Sequence, residues 1–202
     1  MIYQYVSARI AGKLFAAHYI QDADREVYAY CIEIILSTAV TVLSTFVLSL
    51  LFHCVAPTFV FYLCFFASRI LCGGYHAHHH LTCYLITLFD YGLFILGFTS
   101  WSSIKTEYRQ FILWGMLLFS FLMIVLLAPV DHPNNPMSGL QKQKVKIICR
   151  IYIIVFVCAA SVLTFYFSHV FFLPASVFGV FTAASALLPG KLDNKHGGGE
   201  KT

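Results

Sequence analysis

Reactive side chains crowd into one stretch of an otherwise apolar chain, Arg69-Ile-Leu-Cys-Gly-Gly-Tyr-His-Ala-His-His-His-Leu-Thr-Cys83. It holds four of the nine histidines (His76, His78, His79, His80) and two of the seven cysteines (Cys72, Cys83). Gly73, Gly74 and Arg69 lie in the same stretch. A thiol becomes a strong nucleophile when it is deprotonated, which a nearby histidine, positive charge or a helix N-terminus can bring about. The apolar run from Leu81 onward predicts a helix with Cys83 in its first turn, where backbone N–H groups point toward a developing oxyanion. His76 precedes Cys83 by seven residues. On one continuous helix the two would be aligned but about 10 Å apart along the axis, too far for direct proton transfer. A break is therefore expected between them. Gly73-Gly74 permits a sharp turn that returns His76 over the helix start, giving a Cys–His dyad. Arg69 would raise the local positive potential or bind an acidic group on substrate.

Two other readings use the same residues. His76, His78, His79, His80 and the two cysteines include enough ligands for tetrahedral zinc, which would make the chain a metal-dependent membrane protease or a metal transporter. Against this, three consecutive histidines do not point one way on a helix or a strand, and no His-Glu-x-x-His or paired Cys-x-x-Cys accompanies them. The third reading is a noncatalytic membrane scaffold or exporter, with the histidines as a pH-sensitive rim at the membrane interface and Cys83 as a packing thiol. Cys72 is expected to pack between helices.

The elements that must position this stretch are membrane helices. Of the 202 residues, 59% are hydrophobic, 17% aromatic and only 11% charged, which places the chain outside the soluble globular class. The expected fold is all-α and polytopic, a single membrane-embedded domain over 1–190. An amphipathic helix over 1–22 (Ile2, Val6, Ile10, Leu14, Ala17 at spacings of three and four) would lie on the membrane surface. A bundle of six spans would occupy 27–189, at about 27–52, 56–72, 81–100, 110–129, 147–169 and 171–189. The tail, 191–202, is Gly-rich and expected to be mobile. The first 25 residues lack the pattern of a secretory signal, so the N-terminus is expected to stay on the protein. Cys31, Cys64, Cys149 and Cys158 sit inside apolar runs and read as packing residues, not a disulfide framework.

Of the thirteen lysines and arginines, eleven fall on one side of this six-span topology, and only Lys105 and Arg109 on the other. The basic side should be cytoplasmic, with both termini and the histidine-rich stretch. The positive residues form no aromatic-interleaved face, which argues against nucleic acid as a partner. Lys142, Lys144 and Lys146, with Arg150, serve topology and contact with anionic lipid, or attract an acidic substrate segment. Glu33 and Asp90 fall inside spans, where a carboxylate costs about 2.5–3.5 kcal/mol and needs a partner or water. Asp90 is seven residues past Cys83, on the same helix face; it reads as interhelical polar glue, or as a group that orients the histidine or holds substrate.

Gly73-Gly74-Tyr75-His76-Ala77 followed by Cys83, between the second and third spans, resembles the accessory gene regulator B family of membrane cysteine endopeptidases. Leu127-Ala-Pro-Val-Asp-His-Pro-Asn-Asn-Pro136 ahead of a lysine-rich loop, and Leu187-Leu-Pro189, agree with it, so the resemblance covers almost the whole chain. It implies a processor of quorum-sensing propeptides in the cell membrane of Gram-positive bacteria, with Cys83 as nucleophile and His76 as general base. The substrate would be a short membrane-associated propeptide, cut near its C-terminal acidic tail. Its N-terminal part would remain as a thioester on Cys83 until an internal cysteine or serine closes a thiolactone or lactone ring. No metal or other cofactor is required. Glu33 falls where the family carries a polar residue in its first span. The run His78-His79-His80 departs from the family pattern. A homodimer is one arrangement left open.

Overall fold

The computed structural model describes residues 2–73, 80–130, 138–166, 172–189 and 191. Among them the chain is helical and contains no strand: α1 (Ile2–Ala16), α2 (Arg25–Leu51), α3 (Val55–Cys72), α4 (His80–Thr99), α5 (Thr106–Leu127), α6 (Gly139–Tyr166) and α7 (Phe172–Ser185). Short 3-10 turns at Asp22–Asp24 and Ser100–Ser103 precede α2 and follow α4. Six helical stretches are long and apolar enough to cross a bilayer: Asp22–Leu51, Val55–Cys72, Tyr84–Ser103, Thr106–Leu127, Gly139–Tyr166 and Phe172–Pro189. Large apolar side chains cover their outer surfaces, among them Phe59, Leu63, Phe111, Leu126 and Phe165. In a bilayer such side chains face lipid tails at no cost, and the helical backbone satisfies its own polar groups.

The expected six spans are thus present, with shifted ends. α6 begins at Gly139, well before the expected 147, because the residues between are good helix formers and the start is capped. Ser138 and Gln141 build that cap reciprocally: the Ser138 N–H donates to Gln141 Oε1 (3.1 Å) and the Gln141 N–H to Ser138 Oγ (3.4 Å). At 28 residues α6 is about 42 Å long against about 30 Å of hydrocarbon, so one end projects beyond it. Lys142, Lys144 and Lys146 lie in the first two turns, all exposed.

The N-terminal helix stops at Ala16, short of the expected 22. His18 adopts φ 59°, the Tyr19 N–H reaches Leu14 O (3.0 Å) and the His18 N–H reaches Phe15 O (2.9 Å). That pair of bonds around a left-handed residue is the Schellman ending of a helix. α1 packs against α2, and among its described side chains Ser7 and Ala11 are buried. Val6 and Ile10 of the apolar stripe are exposed and Leu14 is half-buried. Small residues decide the contact because they let two helix backbones approach.

The chain divides into two compact units, residues 1–51 with 77–91, and residues 52–76 with 92–202. In the first, α1 and α2 pack together and the Ser44 and Tyr84 hydroxyls, 3.1 Å apart, join α2 to the start of α4. The second is arranged around α7, which packs on α3 and α5 and touches α6. Ala175, Val177, Gly179, Val180, Ala183 and Ala184 of α7 are buried. A side chain at Gly179 would collide with the carbonyl oxygen of Phe61, so glycine is what allows α7 and α3 to meet backbone to backbone. Phe61 in turn stacks on Phe94 of α4, ring centroids 4.4 Å apart. A second apolar cluster gathers Cys72, Ile124, Cys149, Ile153, Val180 and Leu187 beneath the end of α3.

Candidate active site

α3 ends at Cys72 for a local reason. Gly73 follows with φ 74°, a conformation that costs other residues energy, and its N–H closes the last turn on Arg69 O (3.0 Å). The carbonyls at a helix C-terminus lack intrahelical partners. Here Cys72 O accepts the Val130 N–H (3.2 Å) and Leu71 O accepts the Cys149 thiol (3.1 Å). One turn earlier, Ser68 Oγ and Tyr152 OH lie 2.8 Å apart, a second tie between α3 and α6. Cys72 and Cys149 are both fully enclosed, which fits the packing role expected of each. Cys31 and Cys158, expected to pack, instead lie on exposed faces; a thiol is apolar enough to face lipid.

Arg69 lies in the last turn of α3, half-buried, with its guanidinium 5.6 Å from the centre of the Phe65 ring. That stacking holds a cation at the end of the helix from which the reactive stretch departs. Gly74 and His76 lie outside the described residues, as do His78 and His79. The Cys83 backbone belongs to the first turn of α4, the place expected for it. Tyr84, the next residue, meets Ser44. Ser44 is about 28 Å along α2 from Arg25, so the start of α4 is set well down α2 and not at its beginning.

Glu33 is 9% exposed on α2 and Asp90 is half-buried on α4; both engage partners, as carboxylates inside spans must. Asp90 shares the α4 face of Cys83, about 10 Å further along the axis. Lys142, Lys144 and Lys146 lie exposed near the start of α6. Among the described residues no group of three His, Cys, Asp or Glu side chains gathers as a metal site. Sequence reasoning missed Ser44, Val130, Tyr152 and the thiol bond of Cys149. Only Val130 carried a signal, since it lies in the Leu127-Ala-Pro-Val stretch.

The family model of accessory gene regulator B matches residues 7–187. The chain belongs to the accessory gene regulator B family. No curated protein and no solved structure matches it. The accessory gene regulator B match takes in every candidate position: Glu33, Arg69, Gly73, Gly74, His76, Cys83, Asp90, Lys142, Lys144 and Lys146. With the six apolar helices, membership supports a multi-pass protein of the bacterial cell membrane that processes a quorum-sensing propeptide.

Proposed function

We propose that the protein is a membrane cysteine endopeptidase that cuts a short propeptide near its C-terminal acidic tail and cyclises what remains. The observation that carries this reading is the family match, whose range, residues 7–187, takes in the stretch holding His76 and Cys83. His76 takes the proton of the Cys83 thiol, and the thiolate attacks the scissile carbonyl carbon. Unpaired N–H groups of the first turn of α4 favour the resulting oxyanion. The imidazolium returns its proton to the leaving amine, the C–N bond breaks, and the C-terminal fragment departs. The N-terminal part is left as a thioester on Cys83, which conserves acyl activation. An internal cysteine or serine of the propeptide then attacks that thioester, releasing the Cys83 thiol and closing a thiolactone or lactone. Tethering the internal nucleophile to the acyl group makes ring closure competitive with hydrolysis.

The remaining candidates have supporting roles. Arg69 favours the acidic part of the substrate, and Lys142, Lys144 and Lys146 attract its acidic tail toward the membrane surface. Glu33 or Asp90 steadies the histidine. Both termini face the cytoplasm, and the site is reached from that side, where Cys83 stays reduced.

Co-expression with a candidate propeptide tests this reading, comparing Cys83→Ala, His76→Ala and a Cys72→Ala control, with and without a chelator. Cleavage should stop in the first two variants and continue in the third. Continued cleavage by Cys83→Ala would sink the nucleophile assignment, and chelator-sensitive cleavage would favour the metal reading.

A further inference from the structure

Two free thiols meet inside the second compact unit. Cys72 is the last residue of α3, Cys149 lies about three turns into α6, and both belong to the unit of residues 52–76 with 92–202. The Cys149 thiol donates to Leu71 O at 3.1 Å. Across a trans peptide bond a carbonyl oxygen lies about 2.8 Å from the next Cα, so the Cys149 sulfur is within about 6 Å of the Cys72 Cα. The two thiols are within hydrogen-bonding reach of each other. Cys72 is 2% and Cys149 0% exposed, in one apolar cluster with Ile124, Ile153, Val180 and Leu187. One turn away, Ser68 Oγ and Tyr152 OH, 2.8 Å apart, join the same two helices and hold the approach.

We propose that Cys72 and Cys149 are a disulfide site, closed by a hydroperoxide and reopened by small thiols, that ties α3 covalently to α6. One thiol attacks a peroxide oxygen: the O–O bond breaks, an S–O bond forms, and the thiol proton leaves with the other oxygen as an alcohol or water. The second thiol then attacks the sulfenic sulfur. The S–S bond forms, the S–O bond breaks, and the hydroxyl departs as water with the second thiol's proton. Two electrons have passed from the pair to the peroxide. A disulfide holds its sulfurs about 2 Å apart, so a hydrogen-bonded pair has only about 2 Å to close. Enclosure favours this ending, because a sulfenic acid formed here has the partner thiol as its neighbour while bulky thiols are shut out. Cys64 packs against the same cluster but sits eight residues before Cys72 on α3, about 12 Å along the helix, too far to compete. The site uses none of the residues assigned to peptide cleavage and stands independently of that reading.

The test uses the full-length wild-type protein in lipid nanodiscs, exposed to cumene hydroperoxide or to hydrogen peroxide. Remaining thiols are blocked with N-ethylmaleimide before unfolding, and linked peptides are mapped by mass spectrometry. The Cys72–Cys149 peptide pair should appear, lighter by two hydrogens than the separate peptides, and should vanish on treatment with dithiothreitol. It should exceed every other intramolecular linkage about tenfold, since thiols held farther apart do not meet disulfide geometry. Closure with either reagent supports the site, and the faster one shows whether the oxidant arrives from lipid or from water. The closed form should melt about 5–10 °C higher in mild detergent than the reduced form, as a cross-link over a long loop requires. Oxidation of the exposed Cys31 and Cys158 with no Cys72–Cys149 linkage would overturn the proposal. So would a yield no greater than that from the same chain oxidised after unfolding in guanidinium.

Discussion

The hydroxyls of Ser44 and Tyr84 lie 3.1 Å apart, which joins the residue beside Cys83 to a point well along α2. A hydrogen bond of this kind contributes about 1 kcal/mol net. Tyr84→Phe and Ser44→Ala should each lower propeptide cleavage several-fold by loosening the first turn of α4. The double variant should be little worse than either single one, since both remove the same bond. Additive losses in a double-mutant cycle would show that the two side chains act separately.

Gly179 and Gly115 make a matched pair. A side chain at Gly179 meets the Phe61 carbonyl, whereas one at Gly115 meets nothing within 4 Å. Gly179→Ala should therefore destabilise the protein by about 1–3 kcal/mol through overpacking. Gly115→Ala should be neutral or stabilising by up to about 1 kcal/mol, the helix-propensity difference between the two residues. Denaturation in mild detergent distinguishes them, and equal effects would contradict the backbone-to-backbone approach of α3 and α7.

Removing the α6 cap should fray only its first turns. Ser138→Ala should cost about 1 kcal/mol locally, read as faster amide exchange over Gly139–Val145 with little change past Cys149. Unchanged exchange would mean that the reciprocal Ser138 and Gln141 bonds do not hold the helix start.

Orientation is tested with single cysteines introduced in a background lacking the native ones. Lys105→Cys should react with a membrane-impermeant maleimide in intact cells, and Lys142→Cys only after permeabilisation. The reverse pattern would invert the topology. Lys105 caps the start of α5 and Lys142 is exposed near the start of α6, so both sites tolerate the change.

The elements were legible in the sequence where local chemistry decides them. Six apolar runs became six spans, because in a bilayer length and hydropathy leave few alternatives. Cys83 was placed in the first turn of its helix from the apolar run that follows it. α6 starts at Gly139, ahead of the apolar run, because Ser138-x-x-Gln141 caps the lysine-bearing turns into the helix. Spacing in α1 marks an apolar stripe for the membrane surface, whereas the small Ser7 and Ala11 that are buried in α1 leave no such signal. The contacts that frame the site were beyond reach. Nothing local links Cys149 to Leu71 or Ser44 to Tyr84, pairs 78 and 40 residues apart that only tertiary packing brings together.

The central claim is that Cys83 carries the substrate as an acyl thioester. Intact-protein mass spectrometry after a brief, acid-quenched exposure to the propeptide measures this directly. The account predicts a mass increase equal to the N-terminal part of the propeptide less one water, mapped to Cys83, released by neutral hydroxylamine and missing from Cys83→Ala. Cleavage without any such adduct, or an adduct that survives in Cys83→Ala, would contradict it.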